Sequence, residues 1–261
     1  MTRALPRVRL HSSRLVRFLS ENGMASAAVD AQDMGQKLGD WLDFRQAIAL
    51  HGILNPESPP AAPAARRSTV APEALRRHVD KVRASLEESI AQGAPAGSGL
   101  TRIDMPAPEL DEPIEPKRAF EPWRRFIAAH QRQMETVIRT LRAQVRSPLA
   151  QGTPAQQQLA TLDTAFDSIL VEREARLLYT VLQMMEKRFA QALKQHLQHL
   201  KPTAETTASD APVAVAAPSP RLWLAAFSHE VRSALLAELD TRLQPTLGLL
   251  EAYTPESSPS P

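Results

Sequence analysis

One stretch constrains the fold more than any other. Residues 154–200 contain no proline or glycine after Pro154 and carry Leu159, Leu162, Phe166, Ile169, Leu177, Val181, Met184, Met185, Phe189, Leu193, Leu197 and Leu200. That spacing follows the 3.6-residue period of an amphipathic helix. At 1.5 Å per residue, a helix of roughly 45 residues is about 70 Å long. A small globule cannot bury a stripe of that length, so it has to lie along other long helices. Two segments supply them. Trp123, Ile127, His130, Met134, Val137 and Leu141 alternate steps of four and three, the spacing of a heptad seam. Leu75, Val79, Val82, Leu86 and Ile90 form a second, narrow seam.

Proline shows where such rods begin and end, because it fixes φ and lacks a backbone donor, which suits a first helical turn and not an interior. Pro72, Pro122, Pro154 and Pro220 stand where apolar periodicity starts, and Gly93 stands where it stops. Most of the 22 prolines cluster elsewhere, in Pro/Ala-rich stretches that read as disordered linkers. The sequence therefore predicts an all-α chain in eight segments. These are a basic segment and helical hairpin over 1–54, a linker over 55–71, a helix over 72–92 and an acidic Pro-rich linker over 93–119. A long helical hairpin over 120–200, a linker over 201–220, a helix over 221–253 and a disordered tail over 254–261 complete it.

Within the N-terminal hairpin, a short helix around Leu15, Val16, Phe18 and Leu19 precedes one capped by Asp30 and running to Leu54 through Met34, Leu38, Trp41, Leu42, Ile48 and Ile53. Pro245 is expected to kink the last helix. Burying a Leu or Val is worth about 1.5–3 kcal/mol, while ordering each residue costs roughly 1–2 kcal/mol. A stripe of one apolar residue in three or four barely stabilises one hairpin. The expected architecture is an elongated bundle or antiparallel coiled coil whose seams need each other and a second chain.

Composition narrows the chemistry. There is no cysteine, which excludes disulfides, thiolate metal sites and cysteine nucleophiles. Neither GxGxxG nor GxxxxGK[ST] occurs among the 9 glycines, and no cofactor is implied. No apolar run approaches a membrane span, so the chain is expected to be soluble and cytoplasmic. Arginine far outnumbers lysine and alanine is abundant, as in a GC-rich bacterial coding sequence. The first 20 residues hold Arg3, Arg7, Arg9, Arg14 and Arg17 without an acid. That resembles a transit peptide in composition, although a basic tip leading into a short helix suits the bacterial bias better.

Candidate chemistry is sparse. Arg124, Arg125, Arg132, Arg139, Arg142 and Arg146 face only Glu135 between residues 123 and 146, so this helix presents a basic surface, either a solvated face or a contact for nucleic acid. His196 and His199 share one helix face at a metal-ligand spacing, but without an identifiable third ligand they fit better as cations near a helix C-terminus. His130 lies on the heptad seam, where a polar group sets register. Met184 and Met185 read as core filling. The carboxylate pairs Glu87-Glu88 and Asp111-Glu112 have no pocket around them and receive no acid/base role. The segment Trp223-Leu-Ala-Ala-Phe-Ser-His-Glu-Val-Arg-Ser-Ala-Leu is similar to the phosphoacceptor box of sensor histidine kinases, with His229 as nucleophile and Glu230 beside it. Ser233-Ala234 departs from that box, and no ATP-binding glycine boxes accompany it.

Two segments, Trp41-Leu-Asp-Phe-Arg-Gln-Ala-Ile-Ala-Leu and Leu236-Ala-Glu-Leu-Asp-Thr-Arg-Leu-Gln-Pro-Thr-Leu-Gly-Leu-Leu-Glu-Ala, resemble an uncharacterised proteobacterial domain-of-unknown-function family of nearly this length. The resemblance implies a cytoplasmic accessory of an envelope complex, since genes of that family lie beside those for MotA/ExbB-like and OmpA-like proteins. It carries no catalytic residues. The sequence thus favours a non-enzymatic scaffold or adaptor that homo-oligomerises through Trp123, Ile127, His130, Met134, Val137, Leu141, Leu159, Leu162, Phe166, Ile169, Leu177 and Val181 and binds a protein partner. Nucleic-acid binding through the arginines is the alternative, and phosphotransfer at His229 the third.

Overall fold

The computed structural model describes residues 14–21, 42–55, 70–93, 104–107, 109–110, 114–115, 118–200 and 220–254. Among them every regular element is a helix: α1 (Arg14–Glu21), α2 (Phe44–Leu54), α3 (Pro72–Gln92), α4 (Glu121–Ala150), α5 (Pro154–Leu200) and α6 (Pro220–Tyr253). The protein is all-α, and no strand occurs among the described residues.

The helix ends follow from local chemistry. α3 stops at Gly93, which takes φ 85° and donates its N–H to the Ser89 carbonyl at 2.9 Å. Only glycine enters that left-handed conformation without a Cβ penalty. Between α4 and α5, Thr153 and Gln156 form a reciprocal cap: the Thr153 hydroxyl accepts from the Gln156 N–H at 3.3 Å, and the Gln156 side chain accepts from the Thr153 N–H at 3.0 Å. Pro154 follows as the first helical residue, where its missing donor costs nothing. α6 runs through Pro245 without interruption, and α4 carries Pro148 in its last turn.

One boundary corrects the sequence expectation. α2 does not start near Asp30. Asp43, in extended conformation, caps it by accepting from the Gln46 N–H at 2.7 Å, and the Gln46 side chain returns the bond to the Asp43 N–H at 3.0 Å. Apolar periodicity running through this point concealed the Asp-x-x-Gln box. Asp30, Met34, Leu38 and Trp41 lie outside the described residues, as do most of the linkers and the tail.

The chain divides into two compact units, one from residues 1–87, 133–177 and 237–261, the other from 88–132 and 178–236. These boundaries fall inside α3, α4, α5 and α6, so the units do not coincide with the segments that proline delimits. The core of the first unit includes Leu50, Leu75, Val79, Met134, Leu141, Val145 and Leu243. The second is centred on aromatic rings: Phe189 lies 5.4 Å from Phe120, 5.4 Å from Trp223 and 5.2 Å from Phe227, and Phe227 lies 5.3 Å from Trp123.

Candidate functional site

The seam residues are mostly turned into the chain itself. Trp123, Ile127, His130, Met134, Leu141, Ile169 and Val181 are buried, while Val137, Leu159, Leu162 and Phe166 are half-buried. Leu177 departs outright, at 62% exposed. On α4, Ile138, Val145 and Leu149 continue the buried stripe past Met134 in place of Val137. A straight helix drifts about 20° per heptad against a strict seven-residue repeat, so the inward face moves by one position. Seven of the twelve seam residues are thus buried within one chain, and five keep part or most of their surface open.

Of the six arginines of the basic surface, Arg142 and Arg146 are drawn into the fold, while Arg125, Arg132 and Arg139 stay exposed. Arg142 reaches Asp163 at 2.6 Å and Asp167 at 2.8 Å, and Arg146 reaches the same two carboxylates at 2.7 and 3.2 Å. The side chains of Arg142, Arg146 and Asp163 are only 13%, 18% and 9% exposed. Arg139 pairs with Glu135, Arg124 with Glu186 and Glu121, and the exposed Arg125 lies 3.9 Å from Glu121. Arg132 is exposed. The excess charge along α4 is thus neutralised in the first unit by acids of α5 some twenty residues away in sequence. Arg14 engages Asp240, and Arg3, Arg7 and Arg9 lie outside the described residues.

A second polar network grows from the segment 238–242 of α6. Glu238 is fully buried and accepts from Arg242 at 2.9 Å, and Arg242 extends to Glu174 at 3.1 Å. Asp240 receives Arg83 at 2.6 Å and Arg14 at 2.9 Å. Hydrogen bonding to Glu87, helped by the nearby Asp240 carboxylate and opposed by burial, holds the Arg83 guanidinium above its ordinary pKa. A cavity of about 60 Å³ opens among Arg139, Arg142, Asp167, Glu174 and Arg242. Each of these charges already has a partner of opposite sign, so a charged ligand would have to break an ion pair to enter. Sequence reasoning missed this network; the signal available was the Glu238/Arg242 spacing of one helical turn.

The candidate histidines fall into three environments. His130 is fully buried, with Nδ1 3.0 Å from the Phe126 carbonyl oxygen and Nε2 2.9 Å from the Ser89 carbonyl oxygen and 3.2 Å from its hydroxyl. A neutral ring can donate to one of these two carbonyls, whereas the protonated ring donates to both. Burial lowers its pKa, against the opposing pull of the two carbonyls. His196 is buried near Trp223, at 6.0 Å between rings, with Nε2 unbonded; the side chain of His199 is outside what is described. Among the described residues no three His, Asp or Glu side chains are grouped as a metal site. His229 is exposed on α6, and Glu230 is held by Arg188 at 2.9 Å. The carboxylate that would activate the imidazole is therefore committed elsewhere. Met184 and Met185 are buried, Glu87 is paired with Arg83, and Asp111 and Glu112 lie outside the described residues.

Exposed large apolar side chains occur in both units, Tyr179 and Leu222 in the second among them, but in the first unit two of them stand one turn apart on a single helix face. On α2, Phe44 is 81% exposed, Ile48 57% and Leu54 55%. Alongside lies an open groove of about 500 Å³ between α2, α4 and α5, walled by Ile53 and floored by Ala150, Ala160, Thr161, Thr164 and Ser168. Neither feature was singled out from sequence, because exposure of an apolar residue depends on which helix fails to cover it.

Comparison with protein families matches residues 1–255 to the family described as "Protein of unknown function (DUF3348)". No curated protein and no solved structure matches the chain. Among the described residues no helix is long and apolar enough to cross a membrane.

Proposed function

The chain belongs to the DUF3348 family, and from that premise we propose that it is a non-enzymatic helical scaffold or adaptor that acts by binding protein. The observation that carries this reading is the apolar face of α2, with Phe44 and Ile48 exposed one turn apart and Leu54 exposed near the helix end, while Arg124, Arg139, Arg142 and Arg146 of α4 and Glu230 are engaged in ion pairs. Adjacent exposed apolar side chains mark interaction sites more often than single ones do. Its setting, from the resemblance of the two segments above, is the cytoplasmic side of an envelope complex.

Photo-crosslinking from position 48 in the native host tests the proposal. The expected result is a discrete protein adduct that is lost in a Phe44→Glu background and does not form from position 172. Adducts to nucleic acid alone, or none at either position, would refute it.

A further inference from the structure

We propose that the exposed face of α2 docks into the α2–α4–α5 groove of a second copy of this chain, so that two chains related by a twofold axis cover both features at once. This rests on the scaffold reading and names its partner.

Phe44 and Ile48 are one turn apart and stand on the same side of α2, with Leu54 near the end of the helix. They offer an apolar projection on the order of 300 Å². The groove has the complementary character. Ala160, Thr164 and Ser168 recur at every fourth position along its floor, and small residues at that spacing let a second helix approach closely. Its hydroxyls are turned to their own helix: Thr161 donates to the Gln157 carbonyl at 2.9 Å, Thr164 to Ala160 at 2.9 Å and Ser168 to Ala165 at 2.7 Å. The one charged residue on its lining, Arg146, is held by Asp163 and Asp167.

The groove therefore offers methyl groups and few free polar handles. A small-molecule site fixes its ligand by a few convergent polar groups, which this lining does not supply. A helix face needs none, and burying this surface strands no charge.

Area selects a second copy over an unrelated helix. One face laid in one groove buries roughly 600 Å² counting both sides, below the 1,200–2,000 Å² of specific interfaces. Because one chain carries both the projection and the groove, a twofold axis repeats the contact and brings the total to about 1,200 Å². A partner offering only one helix would stop at half of that.

The chain contains no cysteine, so single thiols can be introduced without background. Ile48→Cys and Thr164→Cys chains, prepared separately, mixed and oxidised, are expected to give a disulfide-linked pair. Sedimentation equilibrium is expected to show a dimer that Phe44→Glu weakens by about 1,000-fold, the effect of losing one hot spot in each of the two symmetric contacts. An acid in the first turn suits a helix N-terminus, so this variant should keep its helical circular dichroism. A concentration-independent monomer overturns the proposal, as does a dimer indifferent to Phe44→Glu. So does a monomer in which the Ile48→Cys thiol is shielded from reagent, which would mean that the chain covers its own face. A monomer that still gives the position-48 adduct with another protein overturns the dimer alone and leaves the scaffold reading standing.

Discussion

The two units solve the same packing problem with different side chains. In the first, helices are tied by Arg142 and Arg146 to Asp163 and Asp167, by Arg242 to Glu238 and Glu174, and by Asp240 to Arg83 and Arg14. In the second, Phe120, Trp123, Phe189, Trp223 and Phe227 meet at ring distances of 5.2 to 6.4 Å. Aromatic burial is a net gain, since each ring removes about 150–250 Å² from water. Buried ion pairs are close to neutral, because desolvation offsets attraction, but their fork geometry accepts only one register. The second unit's own interhelical pairs, Arg124–Glu186 and Arg188–Glu230, are far more exposed than Arg142–Asp163. The contrast therefore assigns stability in the second unit chiefly to the rings and helix alignment in the first chiefly to the buried charges.

The most damaging change should be Phe227→Ala, which opens a cavity against three rings. Such truncations cost about 3–5 kcal/mol. Amide exchange should accelerate along residues 118–132 and 220–235 more than along residues 135–170. Equal acceleration in both stretches would dissolve the contrast.

Asp163→Ala comes next, at about 3 kcal/mol in urea unfolding, because it leaves two largely buried guanidinium groups to share Asp167. Replacing the cluster together, as Arg142→Met, Arg146→Met and Asp163→Leu, should recover most of that loss, since removing all the charges also removes their desolvation. If the triple variant were as unstable as Asp163→Ala, the pairs would be net stabilisers and the division of labour would fall.

How much of this was legible in the sequence depends on range. Pro72, Gly93, Pro154 and Pro220 announced helix ends because their effect is confined to their own backbone. Trp123 to Met134 announced a buried stripe because periodicity is a property of one helix. The Arg142–Asp163 and Arg83–Asp240 pairs were illegible, since nothing in a single sequence says which acid faces which base. His130 was recognised as a polar seam residue, but its partner Ser89 lies on α3 and could not be identified. The exposure of Phe44 and Ile48 was hidden for the same reason: a helix shows which residues are apolar, not which face lacks a neighbour.

The second unit also holds the pH-sensitive element. Burial depresses the folded-state pKa of His130 below its ordinary 6.5, so the unfolded chain binds more protons in the window just beneath that value. Its contribution is full above pH 6.5 and is lost as pH falls from there towards the depressed folded value, with a slope of at most about 1.4 kcal/mol per pH unit. A His130→Gln variant should show a shallower fall in stability between pH 6.5 and 5 than the parent. Parallel curves would mean that burial does not disfavour the charged ring, because the carbonyls of Phe126 and Ser89 hold it protonated or water reaches it.

The smallest expected effect separates burial from the mere presence of charge. Glu172 and Arg176 form a pair in the first unit at 3.4 Å, but both side chains are 79% exposed. An exposed pair one turn apart contributes about 0.3–0.5 kcal/mol, and salt screens it. Glu172→Ala should therefore change stability by no more than about 0.5 kcal/mol, and the difference should vanish in 1 M salt, whereas the cost of Asp163→Ala should persist there. Were Glu172→Ala to cost as much as Asp163→Ala, the charges would act through a long-range field rather than through the closed contacts of Arg142 and Arg146. The first unit would then owe its arrangement to net electrostatics and not to the fork geometry that fixes a register.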